Sequence, residues 1–186
     1  MYEKDEVLYA RFLKEKNNED LKELLARHRE SLMLFLYGIL HNMEDAEDLM
    51  LDAFALAASG TSKFKGESSF KTWLFSIGHH KAMKQLRKKR FSFITGEEAG
   101  NMPDPGHLPE AEILSDERRR HLYLALGNVN EDYRQVLYLL YFEDMSIEEA
   151  ASVMSRNAKQ IYNLSYRAKE ALRKQLEGMG FTYEDT

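Results

Sequence analysis

Six lysines and arginines crowd the ten residues from 81 to 90, namely Lys81, Lys84, Arg87, Lys88, Lys89 and Arg90, without an acid among them. Cations at that density on a helix suit one task above others, the neutralisation of a row of phosphates. The segment leading into them, "FKGESSFKTWLFSIGHHKAMKQLRKKR" (64–90), opens with Gly66, Glu67, Ser68 and Ser69 and passes the one tryptophan, Trp73. A second group lies in "SIEEAASVMSRNAKQIYNLSYRAKEALRKQL" (146–176), where Lys159, Tyr162, Asn163, Tyr166 and Arg167 recur at the spacing of one helix face. An amide able to pair with adenine, a guanidinium able to fork onto guanine and phenolic hydroxyls for backbone oxygens equip a major-groove reader. Lys169 and Arg173, further along, would hold phosphates. A third group is acidic: Glu44, Asp45, Glu47, Asp48 and Asp52 are five carboxylates with no base between them. They suit either a basic partner or a solvated helix start, where the dipole favours acids.

The elements that position these groups are helices. Proline is confined to Pro103, Pro105 and Pro109, and no segment alternates strictly between apolar and polar residues. Periodicity predicts helices over 4–16, 19–40, 44–58, 69–90, 110–127, 130–142, 146–154 and 158–176. Between 91 and 109 the text "FSFITGEEAGNMPDPGHLP" is rich in Gly, Pro and acid, which marks a linker. The expected fold is therefore all-α: two small helical domains, 1–90 and 110–186, joined by an acidic flexible linker, 91–109. No internal repeat is visible.

With 186 residues, 44% of them hydrophobic, the chain has the composition of a folded protein. No run of about 18 apolar residues is present, and the N-terminus is too charged for a signal-peptide core, so a cytoplasmic chain without membrane insertion is expected. The absence of cysteine excludes disulfides, thiol-ligated zinc, iron–sulfur clusters and thiol catalysis together. The net charge of −5 hides two opposite surfaces, because residues 71–90 carry seven bases and no acid while 91–117 carry seven acids and no base. A basic stripe in an acidic protein still binds a polyanion, since contact electrostatics act within roughly 10 Å at physiological salt.

The segment from 146 reads as a helix-turn-helix. Ile147, Ala150, Ala151 and Met154 make the apolar stripe of its first helix, and Ala151 is small where two helices must approach closely. Asn157 is a good N-cap for the second helix, in which Ile161, Leu164, Ala168 and Leu172 line the inner face. Two residues depart from the usual pattern: Ser155 stands at the turn position where glycine is commonest, and Arg156 where an apolar residue is usual.

The order "NMEDAEDLMLDAFALAA", "FKGESSFKTWLFSIGHHKAMKQLRKKR", acidic linker and helix-turn-helix resembles the extracytoplasmic-function sigma factors, the group of the bacterial sigma-70 family that keeps only regions 2 and 4. The resemblance covers about residues 20–176. It implies a protein that is not an enzyme, uses no cofactor or metal, and starts transcription with core RNA polymerase. The "DAEDL" helix would dock on the β′ clamp helices through Asp45, Glu47, Asp48, Leu49 and Asp52, with the β flap a further contact. On its other side Ala46, Leu49, Met50, Ala53 and Phe54 would pack into the core. The loop Lys63, Lys65, Gly66, Glu67, Ser68 and Ser69 would pocket a base flipped from the minus-ten element. The following helix would present Trp73, Ile77, His80, Lys81, Lys84, Arg87 and Lys88 to the same DNA, and Phe75, Ala82 and Leu86 to the core. Trp73 has two readings, stacking at a fork in the duplex or packing against a neighbouring helix, and packing is preferred. Asn157, Lys159, Tyr162, Asn163, Tyr166, Arg167, Lys169 and Arg173 would meet the minus-thirty-five element.

The basic helix departs from the family pattern. His80 stands where a base-reading Asn is usual and Lys84 where an Asp is usual, so the preferred minus-ten sequence does not carry over. The pair His79 and His80 has no second ligand cluster nearby and is read as no metal site. The acidic linker has two readings, a plain solvated tether or a polyanion mimic threading the polymerase channel, and the resemblance favours the channel; it also implies an anti-sigma factor as a further partner. The rival reading is a helix-turn-helix regulator acting without polymerase, which would require palindromic operators and a ligand pocket.

Overall fold

The computed structural model describes residues 3–61, 63–95, 122 and 124–181. Every regular element among them is helical. Four helices form the first half: α1 (Asp5–Glu15), α2 (Asn18–Leu40), α3 (Met43–Ser59) and α4 (Phe70–Thr95). The second half holds α5 (Glu131–Leu137), a π-helical turn (Tyr138–Phe142), α6 (Ile147–Val153) and α7 (Ala158–Gly178). The helix expected over 110–127 lies, up to residue 121, outside the described residues, as does the linker from residue 96.

Polar residues at the helix starts set the boundaries. Asn17, Asn42, Asn130, Ser146 and Asn157 each accept a backbone N–H of the first turn, and acids follow in the first turns of α2, α3, α5 and α6. α3 stops at Gly60, whose φ of +66° is left-handed backbone. α4 runs five residues past the expected Arg90, because no Gly or Pro interrupts Phe91 to Thr95 and the first glycine comes at 96. The helix expected to continue to 142 instead widens after Leu137, where the Glu143 N–H reaches back to the Tyr138 carbonyl (3.1 Å).

In the first half α2 is the central member, burying Leu24, Leu32, Phe35, Leu36 and Ile39 against α3 and α4. Each such side chain contributes about 1.5–3 kcal/mol on leaving water. Gly78 lets α4 come close, since a Cβ there would stand 3.0 Å from Leu32 Cδ1 and 3.3 Å from Leu36 Cδ2. α1 closes one end with Tyr9, whose hydroxyl donates to the Ala57 carbonyl (2.9 Å). The second half buries Val136, Leu139, Ala150, Val153, Ile161 and Ala168. One apolar cluster runs through both halves, which meet where α2 and α4 pack on α5, the π turn and α6.

Candidate nucleic-acid interface

α7 carries its two rows of side chains as its period dictates. Ile161 and Ala168 are fully buried, Leu164 and Leu172 half-buried, while Lys159, Tyr162, Asn163, Tyr166, Arg167, Lys169 and Arg173 are exposed. Asn157 caps the helix reciprocally with Gln160, each side chain accepting the other's N–H at 2.9 Å. Arg173 is paired on its own helix with Glu170 (3.0 Å) and Glu177 (3.6 Å), and Lys169 Nζ sits 5.4 Å over the Tyr141 ring. Both departures in the turn have structural reasons. Ser155 adopts φ +53°, the left-handed conformation that favours glycine, and Arg156 pairs with Asp132 at 2.5 Å, which ties the turn to α5.

On the basic helix His80, Lys84, Arg87 and Lys88 are exposed, with Ile77 half-buried and Lys81 partly exposed. Phe75 and Ala82 are buried, and Leu86 packs against the core. Trp73 belongs to an aromatic cluster, 5.4 Å from Tyr9, 5.3 Å from Phe64 and 5.7 Å from Phe70 between ring centroids, so packing is its role in this structure. In the loop, Lys63, Lys65, Gly66 and Glu67 are exposed, and Ser68 and Ser69 are half-buried. Gly66 is required by its φ of +73°, with open space where a Cβ would stand.

On α3, Glu47, Asp48 and Asp52 are exposed, Asp45 is half-exposed, and Leu49 packs against the core beside buried Ala46, Met50, Ala53 and Phe54. Two of these acids face α4: Lys81 Nζ lies 3.0 Å from Asp52 Oδ2, and Lys89 Nζ 2.5 Å from Asp45 Oδ2. Glu47 and Asp48 are exposed, and Asp48 lies on the same helix face as Asp45 and Asp52.

The groups that sequence reasoning did not single out lie between the halves. Glu149 Oε1 accepts the Thr72 hydroxyl (3.0 Å) and the Ser69 hydroxyl (3.2 Å), while Oε2 accepts the Ser146 N–H (3.0 Å). The Ser146 bond first, then the hydroxyls of Thr72 and Ser69, hold this carboxyl below its ordinary pKa against the burial that pushes it up. Lys71 pairs with the buried Glu143 carboxylate at 2.7 Å and donates to its carbonyl at 2.9 Å. His79, buried, donates Nε2–H to Gln135 Oε1 at 3.0 Å; burial keeps its imidazole below the ordinary pKa. Arg134 is buried and donates to the carbonyls of Leu126, Gly127, Val129 and Gly38, next to the His41 ring. The capping-box spacing Ser146-x-x-Glu149 was visible locally; its partners some 80 residues away were not.

A cleft of about 570 Å³ lies between Met83, Leu86 and Arg87 of α4, Asn130 to Tyr133 at the start of α5, Arg156 in the turn, and Leu164 and Arg167 of α7, so that Glu131 and Asp132 stand among its cations. No described helix is long and apolar enough to cross a membrane.

Comparison with known proteins fits this division. The family model described as Sigma-70 region 2 matches residues 24–92, and that described as Sigma-70, region 4 matches 119–172. The chain is 30% identical to the ECF RNA polymerase sigma-E factor of Escherichia coli K12, over 69% of this chain and 72% of that protein. It is 27% identical to the RNA polymerase sigma factor YlaC of Bacillus subtilis 168, over 87% and 94%. Its fold matches the sigma factor RpoE of Bartonella quintana, solved in complex with the anti-sigma factor NepR, with a TM-score of 0.71 at 23% identity, covering 86% of this chain and 98% of that one.

Proposed function

The chain belongs to the extracytoplasmic-function sigma factors of the sigma-70 family, and from that premise we propose how its residues divide promoter recognition. As a sigma factor it directs core RNA polymerase to promoters and starts transcription there. Residues 1–90 bind polymerase and handle the minus-ten element, 91–109 tether the halves, and 110–186 read the minus-thirty-five element. The acids of α3 meet the cationic clamp helices of β′. The loop 63–69 receives a base flipped out of the duplex, which lowers the cost of leaving it unpaired and traps melted DNA without ATP or covalent chemistry. His80, Lys84, Arg87 and Lys88 hold the flanking phosphates, and α7 reads base edges with Asn163 and Arg167. The protein has no catalytic step of its own and works in the cytoplasm, where an anti-sigma factor is a further partner.

The observation that carries this reading is the clean split of α7, with Ile161 and Ala168 inward and Lys159, Tyr162, Asn163, Tyr166 and Arg167 outward on a doubly capped helix. The test is transcription in vitro with core polymerase plus this protein on genomic DNA, with start sites mapped. Discrete starts sharing two spaced elements are expected. Starts identical to those of core polymerase alone would overturn the reading.

A further inference from the structure

Both roots of the minus-ten loop are held by one element, α1. The connection from Gly60 to Ser69 has neither helix nor strand among its described residues, and a stretch of that kind keeps one shape only where something outside it holds its ends. At the first root the Tyr9 hydroxyl donates to the Ala57 carbonyl in the last turn of α3 (2.9 Å), and Leu13 Cδ2 lies 3.8 Å from where a Cβ on Gly60 would stand. At the second root Glu6 Oε1 accepts the Phe70 N–H (2.8 Å). That amide is among the first four of α4, which have no carbonyl of their own helix to bond, and a carboxylate there also meets the positive end of the helix dipole. The Thr72 N–H goes to the Ser69 hydroxyl (3.1 Å), so Glu6 and the loop's own Ser69 divide the cap of α4 between them.

Between the roots, Phe64 is half-buried and stands edge-on to Tyr9 at 5.8 Å and to Phe70 at 6.2 Å between ring centroids, whereas Lys63, Lys65, Gly66 and Glu67 are exposed. The Tyr9 ring also lies 4.9 Å from Phe70. α1 is itself fastened to α2: Arg11 Nε donates to Asp20 Oδ2 (2.8 Å), and Arg27 and His28 both reach the Asp5 carboxylate (2.6 Å each). It lies ahead of residues 24–92, the span of the region 2 match.

We propose that Glu6 and Tyr9 are positioning residues for minus-ten readout: they fix the roots of loop 63–69, so that its exposed tip meets the flipped base already shaped. The ordering cost of closing a slack loop round a base then falls on folding rather than on binding. The proposal rests on the reading of loop 63–69 as the minus-ten site.

The test uses Glu6→Ala, Glu6→Gln and Tyr9→Phe in the full chain with core polymerase. Neither residue is among the proposed DNA contacts. Glutamine keeps an oxygen that can accept the Phe70 N–H, and phenylalanine keeps the ring among its aromatic neighbours without the bond to Ala57. The readout is binding of the holoenzyme to a mapped promoter melted beforehand, with each of the four bases in turn at every minus-ten position of the non-template strand. Glu6→Ala should flatten the base preference at the flipped position roughly tenfold, the scale of one charge-assisted hydrogen bond. Glu6→Gln should restore most of it, and Tyr9→Phe should show a smaller loss in the same direction. Preference within the minus-thirty-five element, pull-down of core polymerase and circular dichroism should match wild type. Acrylamide quenching of Trp73, the one tryptophan, should rise in Glu6→Ala as its aromatic cluster loosens.

Unchanged preference in Glu6→Ala would overturn the proposal, as would a loss equal for all four bases or shared by the minus-thirty-five element, which would make α1 a general prop of the fold. If Glu6→Ala fails to fold, Tyr9→Phe decides alone, and wild-type preference in it overturns the proposal. Alanine at Glu67 to Ser69 separates the two readings. If it leaves the preference intact, the minus-ten reading of the loop fails and the proposal with it; if it abolishes the preference while Glu6→Ala keeps it, the proposal alone fails.

Discussion

The recognition helix makes the sharpest quantitative test, because its two faces should fail in different currencies of measurement. Ile161 is fully buried between α7 and the rest of the second half, so Ile161→Ala removes well-packed atoms and leaves a cavity. The expected loss is about 2–5 kcal/mol, enough to unfold a marginal domain. Leu164, which the sequence pattern puts in the same inner row, is half-buried and lines the cleft, so Leu164→Ala should cost less than Ile161→Ala. Asn163 and Arg167 are exposed, and their removal should leave unfolding within about 0.5 kcal/mol of wild type. If they read bases, each contributes about 1–3 kcal/mol of discrimination, or roughly 5- to 150-fold, at one position of the minus-thirty-five element. The assay is binding of the polymerase holoenzyme to every single-base variant of a mapped promoter. A loss from Asn163→Ala or Arg167→Ala that is uniform across all variants would refute base readout and leave these residues as backbone grips.

Three further outcomes follow from the same geometry. On α3, Glu47→Lys with Asp48→Lys should weaken pull-down of core polymerase on the order of tenfold or more without loss of helicity; Asp45 and Asp52 are poorer choices because they pair with Lys89 and Lys81, and undiminished binding would remove this face from the interface. Arg134→Ala strips donors from four buried or half-buried carbonyls and should cost about 3–5 kcal/mol, a Tm fall of roughly 6–20 °C for a chain this size. A cost below about 1 kcal/mol would mean that water replaces the guanidinium. For His79, burial disfavours the charged form, supported by His80 and Arg156 and opposed by Gln135 and Asp132. The unfolded chain therefore takes up a proton that the folded chain refuses: stability is full above the ordinary value of 6.5 and falls as pH drops from there through the depressed folded pKa. Thermal unfolding from pH 7.5 to 5.5 should fall less steeply in His79→Gln, and parallel curves would show that His79 is not responsible.

What the sequence made readable was local. Amphipathic spacing put Ala46, Met50, Ala53 and Phe54 inward on α3 and Ile161 and Ala168 inward on α7, and all are buried. The oddity of Ser155 was visible because a turn needs a left-handed residue whatever surrounds it. The ties between the halves were not readable. Arg134 and Gln135 lie inside a buried arc with Val136 and Leu137, yet a polar residue in such an arc looks like an outward one until its partners are known. Those partners, Gly38 for Arg134 and His79 for Gln135, come from the other half of the chain. Periodicity reports which face of a helix is buried, but not against what.

The ties also differ in what can undo them. Lys81 with Asp52 and Lys89 with Asp45 are exposed pairs worth about 0–1 kcal/mol each, which salt screens and an arriving phosphate can replace. The Glu143 side chain is 6% exposed, so its pair with Lys71 is shielded, as are the bonds of buried Thr72 and His79. Raising NaCl from 50 mM to 500 mM should therefore leave thermal unfolding of the chain almost unchanged. Binding of the non-template strand should meanwhile fall steeply, because each phosphate held by α4 releases a counterion. A chain whose unfolding shifted in step with salt would place its stability in the surface pairs instead.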